Sequence, residues 1–117
     1  MSDSQSVPTI TIEQFAAVAL RVGRILRAAP LPAARKPAYQ LWIDFGPFGV
    51  RQSSAQVTVR YTPESLVGRL VVAVTNLPPR RIAGFQSEVL VLGAVGTAGD
   101  VSLLAVDDDI PPGTPIA

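Results

Sequence analysis

Residues 76–88 read Asn-Leu-Pro-Pro-Arg-Arg-Ile-Ala-Gly-Phe-Gln-Ser-Glu and separate two apolar runs, 70–74 and 89–92. The two prolines fix φ and lack a backbone N–H, so neither a helix nor a central strand can continue through them. The glycine permits a turn that a side chain would hinder. The stretch therefore predicts two strands joined by a rigid loop with fixed positive charge and one aromatic ring. Such a loop suits an anionic, partly planar ligand, and a merely solvated loop is the alternative.

The rest of the chain reads as short strands interrupted by two short helices. Thr11 and Gln14 form a capping-box pattern at the start of a helix over 12–19. Thr62-Pro63 begins a second helix, which Gly68 ends. Runs of apolar or alternating residues bounded by glycine and proline predict the strands. These strands are 20–29, 39–45, 50–57, 70–77, 88–95 and 101–106.

This order of elements predicts an all-β fold. Short strands with a helix between the third and fourth, and Gly23 as a bulge or bend within the first strand, are typical of a small closed barrel. The five-stranded OB-fold barrel has a helix at that place and binds ligands on the face of its second and third strands. We therefore predict an OB-fold barrel with short helices and N- and C-terminal extensions.

The length and hydropathy of the chain set its organisation. With 117 residues it is long enough for one compact domain. We expect residues 1–10 to form a disordered or extended tail and residues 11–117 to form that domain. Hydrophobic residues make up 48% of the chain, and small domains cover apolar surface poorly. We therefore expect part of this surface to be buried in a symmetric homodimer.

The residue types that the sequence lacks exclude several classes of function. There is no cysteine and no histidine, which excludes the usual zinc sites and any Ser-His or Cys-His nucleophile pair. Asp107, Asp108 and Asp109 lack the spacing of a calcium-binding loop, so a solvated acidic turn is the favoured interpretation. We expect no catalysis and no cofactor. We see neither a signal peptide nor a long apolar run, and expect a cytoplasmic protein with no membrane insertion.

The positive charge is concentrated in the middle of the chain. All ten basic residues lie between Arg21 and Arg81, a segment with only two acidic residues and therefore a net charge of +8. Nine of the ten are arginine, whose planar guanidinium suits phosphates and stacks on bases. The distribution predicts an anionic partner, and the alternative is that the arginine content reflects codon usage.

Four motifs occur in order along the chain. They are Leu-Arg-Val-Gly-Arg-Ile at 20–25, Asp-Phe-Gly at 44–46, Tyr-Thr-Pro-Glu-Ser-Leu-Val-Gly at 61–68, and Asn-Leu-Pro-Pro-Arg-Arg-Ile-Ala-Gly at 76–84 followed by Ser87. Together they resemble the tRNA-binding domain family. Gln-Ser-Ser-Ala-Gln at 52–56 and Glu-Val-Leu at 88–90 are most similar to its CsaA branch, small stand-alone proteins described as export-related chaperones.

The resemblance implies an OB-fold whose terminal extensions form a homodimer, with neither cofactor nor catalysis. Members attached to methionyl-tRNA synthetases bind tRNA by its structure, and CsaA-type members bind unfolded or exported polypeptides. Asn76, Arg80, Arg81 and Ser87 match the binding loop of the family. Lys36 matches a basic position in the first long loop.

Two sets of candidate site residues result. In the first, basic side chains contact phosphates and Phe85 or Phe48 stacks on a base; the RNA-binding candidates are Lys36, Arg35, Arg51, Asn76, Arg80, Arg81 and Ser87. In the second, an extended polypeptide lies along the third strand; the peptide-binding candidates are Trp42, Gln52, Ser53, Ser54 and Phe85. The alternatives are that Trp42 packs in an interface or core, that Phe85 plugs the barrel and that the serine pair faces solvent.

These observations predict a non-catalytic, homodimeric tRNA-binding protein of CsaA type with chaperone and protein-export-related activity. Its predicted partners are tRNA, unfolded or exported polypeptides and a second copy of the chain. The alternative function is a polypeptide-binding chaperone with no physiological RNA role.

Overall fold

The computed structural model describes residues 7–117. Residues 1–6 of the predicted tail lie outside this range. The described chain forms two α-helices, α1 (Ile12–Ala16) and α2 (Pro63–Leu66). Its strands are β1 (Leu20–Pro30), β2 (Tyr39–Asp44), β3 (Val50–Ala55), β4 (Leu70–Val74), β5 (Arg80–Ile82), β6 (Phe85–Ser87), β7 (Leu90–Val91), β8 (Gly93–Val95) and β9 (Val101–Leu103).

Five of the strands form a nearly closed antiparallel barrel. Their order is β3-β2-β1-β4-β7, and β1 pairs with β4 through its first half and with β2 through its second. Helix α2 lies between β3 and β4 in the chain, as predicted. Two small hairpins, β5-β6 and β8-β9, extend from this barrel. The predicted OB-fold is confirmed.

The apolar core lies inside the barrel. Alternation along β2 buries Leu41 and Ile43 and leaves the intervening side chains on the outer face. Helix α2 adds Leu66, which is fully buried. Fully burying one such side chain contributes about 1.5–3 kcal/mol to folding. The largest fully buried side chains are Phe45, Ile25, Leu41, Ile43, Leu66, Val22, Val71 and Ser53.

A bulge interrupts β1 at Leu26. Ile25 pairs with Ile43, but Arg27 rather than Leu26 pairs with Trp42. One residue is therefore extra on β1, and it shifts the later side chains by one position relative to β2. The bulge places Arg27 opposite Trp42 on the outer face of the barrel.

The bulge in β1 does not lie at Gly23, for which we predicted a bulge or a bend. A Cβ at this position would lie 2.5 Å from Cγ2 of Ile43 and 2.7 Å from a ring carbon of Phe45. Real Cβ atoms do not approach other atoms so closely, so a side chain would displace the core. The glycine therefore serves close packing of the β1 backbone against the interior.

Both helices begin with a capping box. Thr11 Oγ1 accepts a hydrogen bond from Gln14 N at 3.1 Å, and Gln14 Oε1 accepts one from Thr11 N at 2.8 Å. Helix α1 ends at Ala16, earlier than predicted, because Ala19 already joins the sheet by accepting a hydrogen bond from Thr75 N. No helix within residues 7–117 is long and apolar enough to cross a membrane.

Residues 80–87 form a hairpin within the stretch that was predicted to be a rigid loop. Its strands β5 and β6 are joined at Ala83 and Gly84, whose φ angles are 51° and 81°. Two successive positive φ angles characterise the two-residue turn that suits the twist of a hairpin. The predicted turn at Gly84 is confirmed, and the hairpin makes the surrounding positions more regular than expected.

The predicted strand over 88–95 is divided into β7 and β8. Leu92 N still donates to Val72 O of β4, but Leu104 N donates to Leu92 O. The chain therefore leaves the barrel edge after β7 and pairs with β9 instead. This pairing forms β8, and the turn that joins β8 to β9 lies within 96–99.

Side chains close the barrel between β3 and residues 87–88, at the end of β6. We call this contact the seam. Glu88 N donates to Gln52 O at 2.8 Å, and the Glu88 carboxylate accepts from Gln52 N at 2.9 Å. Ser87 Oγ accepts from Ser54 N at 3.0 Å. Two of the β3 amides are thus satisfied by side chains instead of by a strand ladder.

The C-terminal residues pair with the start of β1. Val22 N donates to Thr114 O at 2.9 Å, and further backbone bonds continue through residues 113–116. Arg24 forms an ion pair with Asp109. The acidic turn at residues 107–109 is exposed, as expected. The carboxylate of Asp109 nevertheless holds this segment to the barrel.

Candidate nucleic-acid interface

Four of the predicted cations lie around one open groove, which we call the basic groove. Arg35 and Lys36 lie on the loop between β1 and β2, and Arg80 and Arg81 lie on β5. The groove has a volume of about 1130 Å³. Its floor is apolar and includes Val57, Val91, Val101 and Leu103.

The backbone of the first loop presents its cations to solvent. Leu31 N donates to Ala38 O at 3.0 Å, and both of these residues are buried. The base of the loop is therefore fixed to the barrel, while Arg35 and Lys36 at its tip are exposed. The backbone of Arg80 and Arg81 is also fixed, because both residues belong to β5, which is hydrogen-bonded to β6.

The charge of the basic groove is not neutralised by carboxylates. Within residues 7–117 the ion pairs are Arg24 with Asp109 and Arg60 with Asp100, and neither pair includes a groove residue. Unpaired like charges around a concave surface raise the local concentration of anions. The same described residues contain no group of three or more potential metal ligands.

Next to the basic groove lies a cluster that we call the aromatic platform, formed by Arg27, Trp42, Gln52 and Phe85. The rings of Trp42 and Phe85 meet edge to face, with centroids 5.7 Å apart and planes at 80°. The Arg27 guanidinium carbon lies 4.3 Å from the Trp42 ring centroid. Trp42 Nε1 donates to Gln52 Oε1 at 3.2 Å. The structure thus brings together three of the predicted peptide-binding residues and adds Arg27, which was not predicted.

The neighbouring serines have opposite environments. Ser53 is fully buried, and its hydroxyl lies 2.9 Å from Ser54 O and 3.1 Å from Val89 O. The interpretation that both serines face solvent is therefore wrong for Ser53, whose side chain points into the barrel. Ser54 lines the basic groove, and Ser87 contributes its hydroxyl to the seam.

Two further predicted RNA-binding residues lie away from the basic groove. Asn76 Oδ1 accepts from Ala19 N at 2.9 Å, and its Nδ2 donates to Ala17 O at 2.7 Å. Its amide therefore joins the end of α1 to the segment after β4. Arg51 pairs with Ile43 near the start of β3 and does not line the groove. Their contacts with RNA stay predictions.

A second, smaller cleft adjoins the basic groove. It has a volume of about 290 Å³ and shares Ser54, Arg80, Ile82 and Leu90 with the groove. Its other walls are mostly apolar and include the exposed side chain of Leu77. The cleft therefore combines an apolar surface with one arginine at its edge.

Comparison with known proteins identifies related sequences. The profile described as the putative tRNA-binding domain matches residues 20–115. Methionine–tRNA ligase of Thermotoga maritima is 40% identical over 109 residues, which are 92% of this chain but 17% of the enzyme. The Bacillus subtilis enzyme is 37% identical over 94% of this chain and 16% of its own length. The chain thus spans about a sixth of the length of these curated relatives.

Solved structures of similar size also match. Chaperone CsaA from Bacillus anthracis is 49% identical and superimposes with a TM-score of 0.87, covering 94% of this chain and all of the other. The CsaA chaperone protein from Picrophilus torridus is 44% identical with the same TM-score, covering 93% of this chain and all of the other. The chain belongs to the tRNA-binding domain family, and over nearly its whole length it is similar to the CsaA chaperones.

Proposed function

We propose that this protein binds tRNA through the basic groove and catalyses no reaction. The observation that carries the proposal is that four basic residues from two distant segments line one open groove and have no carboxylate partner within residues 7–117. Phosphate contacts of this kind supply most of the affinity of proteins that bind nucleic acid without reading sequence. Membership of the tRNA-binding domain family supports tRNA as the nucleic acid.

The number of cations sets the expected salt dependence. About three phosphate contacts per chain correspond to a slope of about −2 in a plot of log affinity against log salt concentration. Binding by one chain is therefore expected to be weak, and a dimer that presents two grooves to one tRNA would roughly double the slope. A salt series thus reports the number of contacts directly.

The variant R80A/R81A tests the basic groove. We expect its affinity for tRNA to be about tenfold weaker and its salt slope about 1.5 smaller, because two phosphate contacts are lost. Fluorescence anisotropy of labelled tRNA across a salt series measures both quantities. The control is R60A, which removes one exposed arginine on another part of the surface. Equal binding by R80A/R81A and the wild-type protein would contradict the site.

Polypeptide binding is the second candidate function. It accompanies tRNA binding in the main prediction and replaces it in the alternative, a chaperone with no physiological RNA role. The observation that favours it is the apolar cleft beside β3, which could receive the side chain of an extended chain. Similarity to CsaA chaperones supports this activity. We propose protein export as the process that it serves. If R80A/R81A loses tRNA binding but still suppresses client aggregation, the two activities use different surfaces. If it loses both, they share one.

We propose that the protein acts as a homodimer in the cytoplasm. The support for the dimer is a run of exposed apolar residues on the N-terminal segment and α1, which a single chain leaves in contact with water. These residues are Val7, Ile10, Ile12, Phe15 and Val18. Burial of this surface between two copies would place two basic grooves in one assembly.

A further inference from the structure

The aromatic platform holds a cation without a carboxylate partner. Arg27 is exposed, and within residues 7–117 it forms no ion pair. Its guanidinium instead lies over the indole ring of Trp42 at 4.3 Å from the centroid. A guanidinium in this position keeps its charge and can present its other face to a ligand.

The platform is fixed in one arrangement before any ligand arrives. Trp42 is restrained by the ring of Phe85, by the hydrogen bond to Gln52 and by Arg27. Gln52 is itself held, because its Nε2 donates to Gln86 O at 3.0 Å. A ligand that stacks here therefore orders few additional side chains, which lowers the entropic cost of binding.

The platform and the basic groove are continuous. Gln52 and Ser54 lie on the same face of β3, about 7 Å apart along the strand, and Ser54 lines the groove. The β5-β6 hairpin supplies Arg81 to the groove and Phe85 to the platform. A polymer whose phosphates occupy the groove can thus place an adjoining group on the platform.

We propose that Arg27 and Trp42 form a stacking site for one unpaired nucleobase of the RNA bound in the basic groove. The proposal rests on the proposed function and adds Arg27 as a residue that favours unpaired over paired RNA. Arginine planes and aromatic rings are the surfaces on which proteins stack exposed RNA bases. An apolar peptide side chain suits this site less well, because a cation covers the indole face that it would contact.

The site is expected to accept all four bases. Both polar atoms of the Gln52 side chain already have partners within the protein, so this side chain is committed to holding the platform. Stacking without hydrogen bonds to base edges tolerates any base. We therefore expect the site to favour unpaired over paired RNA but not to distinguish one base from another.

The test uses two RNAs with equal numbers of phosphates, a hairpin with an unpaired loop and a blunt duplex. Arg27→Lys keeps the charge and removes the planar group. We expect this variant to bind the hairpin about fivefold or more weakly than the wild-type protein, with the same salt slope and unchanged duplex binding. Unchanged duplex binding also shows that the variant is folded. Arg60→Gln, which removes a charge elsewhere, is expected to change neither affinity.

Trp42 is the only tryptophan in the chain, so intrinsic fluorescence reports on the platform. We expect the hairpin RNA to quench this fluorescence and the duplex to leave it unchanged. Equal hairpin binding by Arg27→Lys and the wild-type protein would overturn the proposal, as would quenching by an unfolded polypeptide but not by RNA. In both cases the proposed function would still hold if tRNA binding depended on Arg80 and Arg81. If the wild-type protein binds no RNA, both proposals fail.

Discussion

Ser53 and Ser54 show how one position along a strand decides the role of a side chain. Ser53 is enclosed by the barrel, where its hydroxyl hydrogen-bonds a carbonyl oxygen. We expect Ser53→Ala to lower the free energy of unfolding by about 1–2 kcal/mol, because a buried carbonyl loses a donor. Chemical denaturation of the purified variant measures this change.

Ser54→Ala is the matched control. The Ser54 hydroxyl faces the basic groove, and only its backbone N–H takes part in the seam. We therefore expect stability to change by less than about 0.5 kcal/mol. Equal loss of stability in the two variants would show that the hydroxyl of Ser53 has no special structural role.

Single residues also show where sequence reasoning reaches its limit. The outward position of Trp42 could be predicted, because apolar residues alternate regularly along β2. Arg27 could not be placed beside it, since without the bulge at Leu26 the leucine would lie opposite Trp42. No local sequence signal marks this bulge, and the one glycine in the strand suggested a different position. A single inserted residue thus changes which side chain reaches the site.

At the scale of elements, Asn76 joins α1 to the barrel. Its amide donates to one backbone carbonyl and accepts from one backbone N–H at the junction of α1 and β1. We expect Asn76→Ala to lower the free energy of unfolding by about 1–3 kcal/mol, because two hydrogen bonds are lost. Hydrogen exchange followed by mass spectrometry should show faster exchange in residues 12–19, while β2 stays protected.

Asn76→Asp gives a second test of the same contact. Aspartate keeps the acceptor for Ala19 N but places a carboxylate oxygen against Ala17 O at the C-terminal end of α1. Because this contact is repulsive, we expect exchange in α1 to be at least as fast as with alanine. If both variants exchange like the wild-type protein but bind tRNA more weakly, the role of Asn76 is in RNA binding and not in holding the helix.

The elements differ in how well sequence patterns predict them. A capping box identified the start of α1, and Thr62 followed by Pro63 identified the start of α2, because both signals depend on residues close together in the sequence. The β5-β6 hairpin was not predicted, since its turn places Ala83, and not asparagine or glycine, at the first positive φ. The division of β7 from β8 depends on pairing with β9, a contact between distant residues that local patterns do not contain.

At the scale of the whole molecule, the apolar surface around α1 predicts the oligomeric state. The variant F15E places a charge in that surface, and burying it without a partner is costly. We expect the wild-type protein to sediment as a dimer of 12.3 kDa chains and F15E to sediment as a monomer. The control is V59E, which changes an exposed valine beyond β3 in the same way. A monomeric wild-type protein would contradict the proposed assembly.

The global fold could be predicted from the sequence, whereas the site could be predicted only in part. The helix between the third and fourth strands and the short alternating strands were sufficient to indicate a barrel. The basic groove, in contrast, combines residues 35–36 with residues 80–81. These pairs are distant in the chain, and only the closure of the barrel brings them together. The predicted RNA-binding residues included all four of these cations, together with Arg51 and Asn76, which do not line the groove.

The seam has a consequence for how this chain behaves at high concentration. A strand with free backbone amides can recruit a strand from another molecule and begin aggregation. At the seam, Glu88 and Ser87 occupy the amides of Gln52 and Ser54 with their side chains. An incoming strand would first have to displace the Glu88 carboxylate and the Ser87 hydroxyl from these amides. The two side chains that complete the barrel therefore also protect it from edge-to-edge association.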